Sequence, residues 1–201
     1  MAATLAFWYD FASTYSYPAA MRIERAAAAA GVRLEWRPFL LGPIFKAQGW
    51  TDSPFNLYPA KGRYMWRDLA RLCARDGVAW RRPSAFPRNV LLAARVALLA
   101  AEQGWAGGFT RAAYRANFVE DRDIAQPEVI ADIVAGLGQN AATVLEAAAS
   151  QAVKDHLRTQ SEAAMTQGIF GAPSFTIGDE LFWGNDRLEP ALEWAASEGV
   201  R

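Results

Sequence analysis

Eight residues near the start of the chain carry most of its chemical promise: Asp10-Phe11-Ala12-Ser13-Thr14-Tyr15-Ser16-Tyr17. They stand between an apolar run, Leu5 to Tyr9, and a helix-forming run, Pro18 to Ala30. A strand that feeds directly into a helix leaves unpaired backbone N–H groups, and the positive end of the helix dipole, at the junction. Such a junction accepts an anion. Here it carries hydroxyls, on Ser13, Thr14, Tyr15, Ser16 and Tyr17, and no thiol. Hydroxyls cannot exchange disulfides, but they can donate hydrogen bonds to a thiolate that another molecule brings. The same residue types also make an ordinary helix N-cap, and these eight residues alone leave both readings open.

The remaining reactive side chains are few. Cys73 is the only cysteine, so no internal disulfide and no cysteine-based zinc site can form. Within Leu72-Cys73-Ala74-Arg75 it reads as a structural residue of a helix. His156, the only histidine, lies in the polar run Lys154 to Arg158 and reads as part of a solvated helix face. No metal site is expected. Basic and acidic residues balance at 21 each, and Arg81-Arg82 is too short to form a patch, which argues against nucleic-acid binding. No apolar run reaches the length of a membrane span. Met1 to Ala6 lacks the basic start of a signal peptide. A soluble, cytoplasmic protein is the expectation.

The elements that must position these groups follow from pattern. Leu5 to Tyr9 suits a buried strand. Pro18 to Ala30 is a helix closed by Gly31, and Val32 to Arg37 alternates apolar and polar before Pro38. Strand–helix–strand in forty residues implies a right-handed crossover and two parallel strands. Gly42-Pro43 should break the strand, with Ile44 to Ala47 as one helical turn. Gly49 to Pro59 mixes turn formers with aromatics, and would pack down as a lid or line a pocket. Helical stripes then cover Lys61 to Arg75, Asn89 to Glu102, Thr110 to Val119, Pro127 to Ala135 and Asn140 to Gln167, the last broken near Ser150. Asn89 to Glu102 is apolar nearly all round and should be central. Ser174 to Ile177 and Glu180 to Trp183 flank Gly178-Asp179 as a hairpin, and a last helix runs through Leu188, Leu192 and Trp194. The two ends are each too small to bury a core alone. They should share one sheet, residues 1–43 with 168–201, and residues 44–167 should form an inserted helical domain.

This order, β-α-β, a large helical block, then β-β-α, resembles the thioredoxin-like α/β fold with helical insertion of the DsbA-like superfamily. Local motifs sharpen the likeness. Asp10 to Tyr17, Pro59 to Met65, Phe86-Pro87-Arg88-Asn89, Phe118 to Asp121, Gly171-Ala172-Pro173 and Gly184 to Leu188 together resemble the 2-hydroxychromene-2-carboxylate isomerases, close relatives of kappa-class glutathione transferases. The resemblance implies that a serine, Ser13 here, replaces the redox cysteine and that glutathione supplies the sulfur as cofactor. It implies a cis–trans isomerisation of the 2-hydroxychromene-2-carboxylate/trans-o-hydroxybenzylidenepyruvate type, on a small aromatic carboxylate, by a cytoplasmic homodimer. Lys61 would meet a glutathione carboxylate, and Asn56 would offer an amide from the aromatic loop. Ala172 and Pro173 would form the cis-proline turn against the cysteinyl backbone, and Asn185 with Asp186 would hold the γ-glutamyl end. Thr14 departs from the family, where proline commonly follows the serine. Two other functions remain open on these residues: a kappa-like transferase that conjugates electrophiles, and a non-catalytic thiol- or peptide-binding module.

Overall fold

A computed structural model describes residues 3–198. In chain order the elements are β1 (Thr4–Tyr9), α1 (Ser16–Ala29), β2 (Arg33–Pro38), α2 (Leu41–Ala47), α3 (Pro54–Leu57), α4 (Pro59–Asp76), α5 (Leu91–Glu102) and α6 (Ala106–Phe118). They continue with α7 (Pro127–Gly136), α8 (Ala141–Ala149), α9 (Gln151–Thr166), β3 (Ser174–Ile177), β4 (Glu180–Trp183), a 3-10 turn (Asn185–Arg187) and α10 (Leu188–Glu198). The four strands form one sheet in the order β2-β1-β3-β4. This is the thioredoxin-like arrangement the sequence implies, with the helices α2 to α9 entering between β2 and β3.

The sheet is buried on both faces because β1 is apolar on both. Leu5, Phe7 and Tyr9 point into the main core with Ile23 of α1 and Phe109 and Tyr114 of α6. Trp8 points the other way, to Phe39, Ile44, Ala164 and Ile169. The main core draws on both ends of the chain and on the helical segment, so one hydrophobic interior is continuous through them. Its aromatic spine is explicit: Phe7 stacks on Tyr9 and on Phe175, and Tyr17 stacks on Phe118. Each such side chain contributes about 1.5–3 kcal/mol by leaving water. α5 is central as its composition implies, packing against β2, α6, α8 and α9.

Register decides what meets at the ends of the strands. β1 and β2 run parallel, from Thr4 opposite Arg33 to Tyr9 opposite Pro38. β3 runs antiparallel to β1, with Ser174 opposite Trp8, and β4 brings Trp183 opposite Ser174. The residues just after β1 (10–15), just after β2 (39–41) and just before β3 (170–173) therefore collect at one end of the sheet.

The sequence expectations fail in two places. The helical turn expected over Ile44 to Ala47 begins earlier, at Leu41: β2 has already ended at Pro38, and Gly42-Pro43 lies inside the first turn of α2, where a proline removes only an N–H that has no partner in the helix anyway. The aromatic loop is shorter than expected, because Pro54–Leu57 coils into α3, capped by the Ser53 side chain accepting from Phe55 N at 3.3 Å. The Pro54 ring at the first helical position favours that turn.

α3 is pinned to α4 at Gly62, where a Cβ would press into the backbone carbonyl of Phe55. Backbone cannot swing aside as a side-chain end can. Gly62→Ala is therefore expected to lower stability by about 1–3 kcal/mol through overpacking, despite alanine's helix-propensity gain of about 1 kcal/mol. Gly136→Ala, in α7 with open space around it, serves as the control and should leave stability equal or higher. Urea denaturation of both variants checks the pair.

Candidate functional site

The sheet end that gathers these three segments opens into a cavity of about 1060 Å³. Its floor is the β1–α1 junction, with Asp10, Ser13 and Thr14, together with Ala172 from the turn before β3. One wall comes from α2 and the aromatic loop: Leu41, Pro43, Phe45, Trp50 and Phe55. The opposite wall is Pro87, Arg88, Asn89 and Leu91, and Phe170 with Trp183 forms part of the lining on the strand side. Phe170 and Trp183 pack edge to face at 4.9 Å. At Gly171 a Cβ would press into the Trp183 indole, an exposed side chain that would have to shift. The loop of turn formers and aromatics thus lines a pocket.

Ser13 is buried, 7 % exposed, and its hydroxyl already donates one hydrogen bond and accepts another. Oγ donates to the Ala172 carbonyl at 2.8 Å and accepts from the Ser16 N–H at 3.2 Å. That accepted bond comes from the first turn of α1, so the helix N-terminus polarises the serine oxygen and strengthens its O–H as a donor. The Ala172–Pro173 bond is cis, as the resemblance implied. Gly184 N donates to Pro173 O at 2.9 Å, tying the turn to the segment after β4.

Asp10 holds the junction from beneath. Its carboxylate accepts from Ala12 N and from Leu41 N, each at 2.7 Å. The second bond supplies α2 with the N-terminal cap that its own sequence lacks. The Asp10 carbonyl accepts from the Tyr114 hydroxyl at 2.8 Å, which fastens the junction to α6. Arg88 does similar work across the cavity. Its guanidinium donates to Asn117 Oδ1 at 2.9 Å, Arg122 O at 2.8 Å and Asp121 Oδ1 at 2.5 Å. The Ser84 N–H and then the Arg88 guanidinium hold the Asp121 carboxyl down at about 2.

The residues expected from the sequence divide into groups. Ser13, Lys61 and Ala172 line the cavity, and Pro173 is buried directly behind Ala172. Lys61 is exposed at the start of α4, with Nζ 4.8 Å from the centre of the Tyr58 ring. Asn56 does not join them: it lies on α3 outside the lining, and both its amide contacts go to Asp52, at 3.1 and 3.2 Å. Its place one turn after Asp52 turns it to a local partner. Asn185 and Asp186 also lie outside the lining, beyond the cis-proline turn. Asn185 is buried and its Oδ1 accepts from Arg22 at 3.0 Å, while its Nδ2 has no partner. Asp186 is exposed and pairs with Arg187 at 3.1 Å. Cys73 is buried in α4 away from the cavity, and desolvation followed by Asp76 pushes its thiol up to about 12, so it is no thiolate. His156 faces Glu102 at 3.2 Å on the surface of α9, away from the cavity.

The sequence had assigned Asp10 and Arg88 no role. Both stood in noted motifs, and the only further signal was a charged residue set directly against apolar or proline-bearing runs. Burial pushes the Asp10 carboxyl up to about 6, the Leu41 and Ala12 N–H groups pulling the other way. A carboxyl whose folded pKa exceeds its unfolded value of about 3.9 takes its proton first in the folded chain. Its stability contribution therefore grows as pH falls from about 6 towards 4 and is full below that. A carbon-13 NMR titration should give Asp10 a midpoint near 6; a midpoint at the ordinary carboxylate value of about 4 contradicts it. Asp10→Asn puts an amide N–H against a backbone N–H and should cost about 1–3 kcal/mol at pH 7. Its deficit relative to wild type should widen on acidification to pH 4, read by urea denaturation.

Among the described residues no helix is long and apolar enough to cross a membrane, and no cluster of three potential metal ligands occurs. The model of the DSBA-like thioredoxin domain matches residues 4–193. A 2-hydroxychromene-2-carboxylate isomerase of Sphingobium xenophagum is 31% identical over 191 residues, covering 94% of this chain and 96% of that one. Glutathione S-transferase kappa 1 of Homo sapiens is 28% identical over 205 residues, covering 92% and 88%. A solved structure of a 2-hydroxychromene-2-carboxylate isomerase superposes with a TM-score of 0.87 at 24% identity, covering 98% and 96%, and so shares the fold. The full-length match at the sequence level, in a chain whose hydroxyl-bearing junction and cis-proline turn meet at one cavity, identifies its kin: it carries a DSBA-like thioredoxin domain and belongs to the 2-hydroxychromene-2-carboxylate isomerase family.

Proposed function

We propose that this chain is a glutathione-dependent cis–trans isomerase of the 2-hydroxychromene-2-carboxylate/trans-o-hydroxybenzylidenepyruvate type. The observation that carries the reading is a serine hydroxyl, polarised by α1, on the floor of an aromatic-walled cavity in a chain whose one thiol is buried elsewhere and protonated. Glutathione fits the donor set present: a hydroxyl and a helix N-terminus for its sulfur, the Ala172 backbone for its peptide, and Lys61 for a carboxylate. Asn185, with its unpartnered buried Nδ2, and Asp186 are the candidates for its γ-glutamyl end. Asn56 is left out, its amide being committed to Asp52. When bound, glutathione supplies a nucleophilic sulfur that adds reversibly to a conjugated enone, so that the former double bond can turn before elimination restores it.

The chain's own residues supply the rest. Ser13 donates its proton towards the sulfur and favours the charged form, aided by the dipole of α1. Phe45, Trp50, Phe55 and Leu91 hold an aromatic ring and exclude water, which strengthens the polar interactions on the floor. Lys46, the other lysine in the lining, is available to a substrate carboxylate.

Calorimetric titration with glutathione, and conversion of the chromene to the benzylidenepyruvate followed by ultraviolet absorbance, test the reading. Ser13→Ala should raise the pKa of the bound thiol and slow turnover by about 10² or more, the scale of losing one preorganised donor. Lys61→Ala should weaken glutathione binding by roughly two- to fivefold, the scale of an exposed ion pair. Lys46→Ala should raise KM for the carboxylate substrate while leaving glutathione binding unchanged. Stable adducts with electrophiles and no isomerisation would instead mark a kappa-like transferase. Absence of glutathione binding would mark a module of another kind.

A further inference from the structure

The hydroxyls at the N-terminus of α1 differ in what they already hold. The Ser13 proton is taken by the Ala172 carbonyl, and its oxygen is taken by the Ser16 N–H. Thr14 is different. It lines the cavity, it is 1% exposed, and its Oγ1 has no hydrogen-bond partner among the described residues. Ser16 Oγ is likewise unpartnered, but Ser16 does not line the cavity. A buried hydroxyl without a partner lowers stability, and folded proteins rarely leave one so.

We propose that Thr14 is a second sulfur-binding hydroxyl, which donates Oγ1–H to the thiolate of a small thiol held beside Ser13 at the N-terminus of α1. The inference rests on the glutathione reading above and assigns the one uncommitted hydroxyl proton of the cavity floor. A thiolate is large and polarisable, and a helix N-terminus with two hydroxyls offers it more than one donor. Ser13 must release the Ala172 carbonyl before it can donate; Thr14 breaks no bond, although its Oγ1, which has almost no exposed surface, must turn towards the cavity. In the unliganded protein the Thr14 hydroxyl is a cost, and the ligand turns it into a contact.

The test compares Thr14→Val, Thr14→Ser and Ser13→Ala with the wild type. Glutathione and S-methylglutathione, which has no ionisable thiol, are titrated by calorimetry. The pKa of the bound thiol is read from the ultraviolet thiolate band. Thr14→Val should raise that pKa by about one, because a hydrogen bond to a charged acceptor is lost. It should weaken glutathione binding severalfold and leave S-methylglutathione binding unchanged. Thr14→Ser should keep the wild-type values. The unliganded Thr14→Val protein should melt no lower than wild type, since a methyl replaces an unpaired hydroxyl. Thr14→Ala carries the same comparison if the valine variant does not fold. A wild-type thiol pKa in Thr14→Val alongside a raised one in Ser13→Ala overturns this proposal and leaves the glutathione reading standing. A lower melting temperature with an unchanged thiol pKa also overturns it, making Thr14 a purely structural hydroxyl. If wild type binds no glutathione, or both variants keep the wild-type thiol pKa, the reading of the site fails and this inference with it.

Discussion

Everything at the site depends on the antiparallel pairing of β3 against β1, with Ser174 set opposite Trp8. That register carries the Ala172 carbonyl to hydrogen-bonding distance of Ser13, across 159 residues of sequence. A slip of one residue would turn Phe175 out of the core and take the carbonyl away from the serine. The aromatic stack of Phe7 on Phe175 in the main core resists such a slip. Hydrophobic burial thus sets a polar contact: the core fixes the register, and the register fixes the floor of the cavity.

Two buried charges then hold the walls at their places. Asp10 joins the β1–α1 junction to the first residue of α2, so the floor and the aromatic wall are parts of one hydrogen-bonded unit. Arg88 joins the opposite wall to the end of α6 and the turn after it. Each would be costly left unpaired in the interior.

Much of this was legible in the sequence, and the reasons are physical. β3 and β4 were bounded correctly because strand alternation and the Gly178-Asp179 turn are local signals. The break between α8 and α9 was marked by Ser150, whose side chain does cap α9 by accepting from Val153 N. Ser13, Lys61 and Ala172 came from motif resemblance, and the cavity brings them together. What escaped was long-range. The cap of α2 comes from Asp10, 31 residues earlier, and no reading of residues 38–47 alone could find it. Arg88 stood in a motif with no role assigned to it, because its partners, Asn117 and the backbone of Arg122, are about thirty residues away. Asn56 was drawn elsewhere by Asp52, a neighbour in sequence whose pull the family pattern did not anticipate.

The Ser13–Ala172 hydrogen bond sets a threshold for taking the serine proton. Any guest seeking the serine proton must displace a neutral carbonyl already bonded to it, an interaction of about 1 kcal/mol. Water or a protonated thiol returns no more than that and gains nothing by the exchange. An anion, whose hydrogen bonds are worth about 1.5–3 kcal/mol, gains from it. The committed hydroxyl therefore favours an anion over a neutral guest at the serine proton.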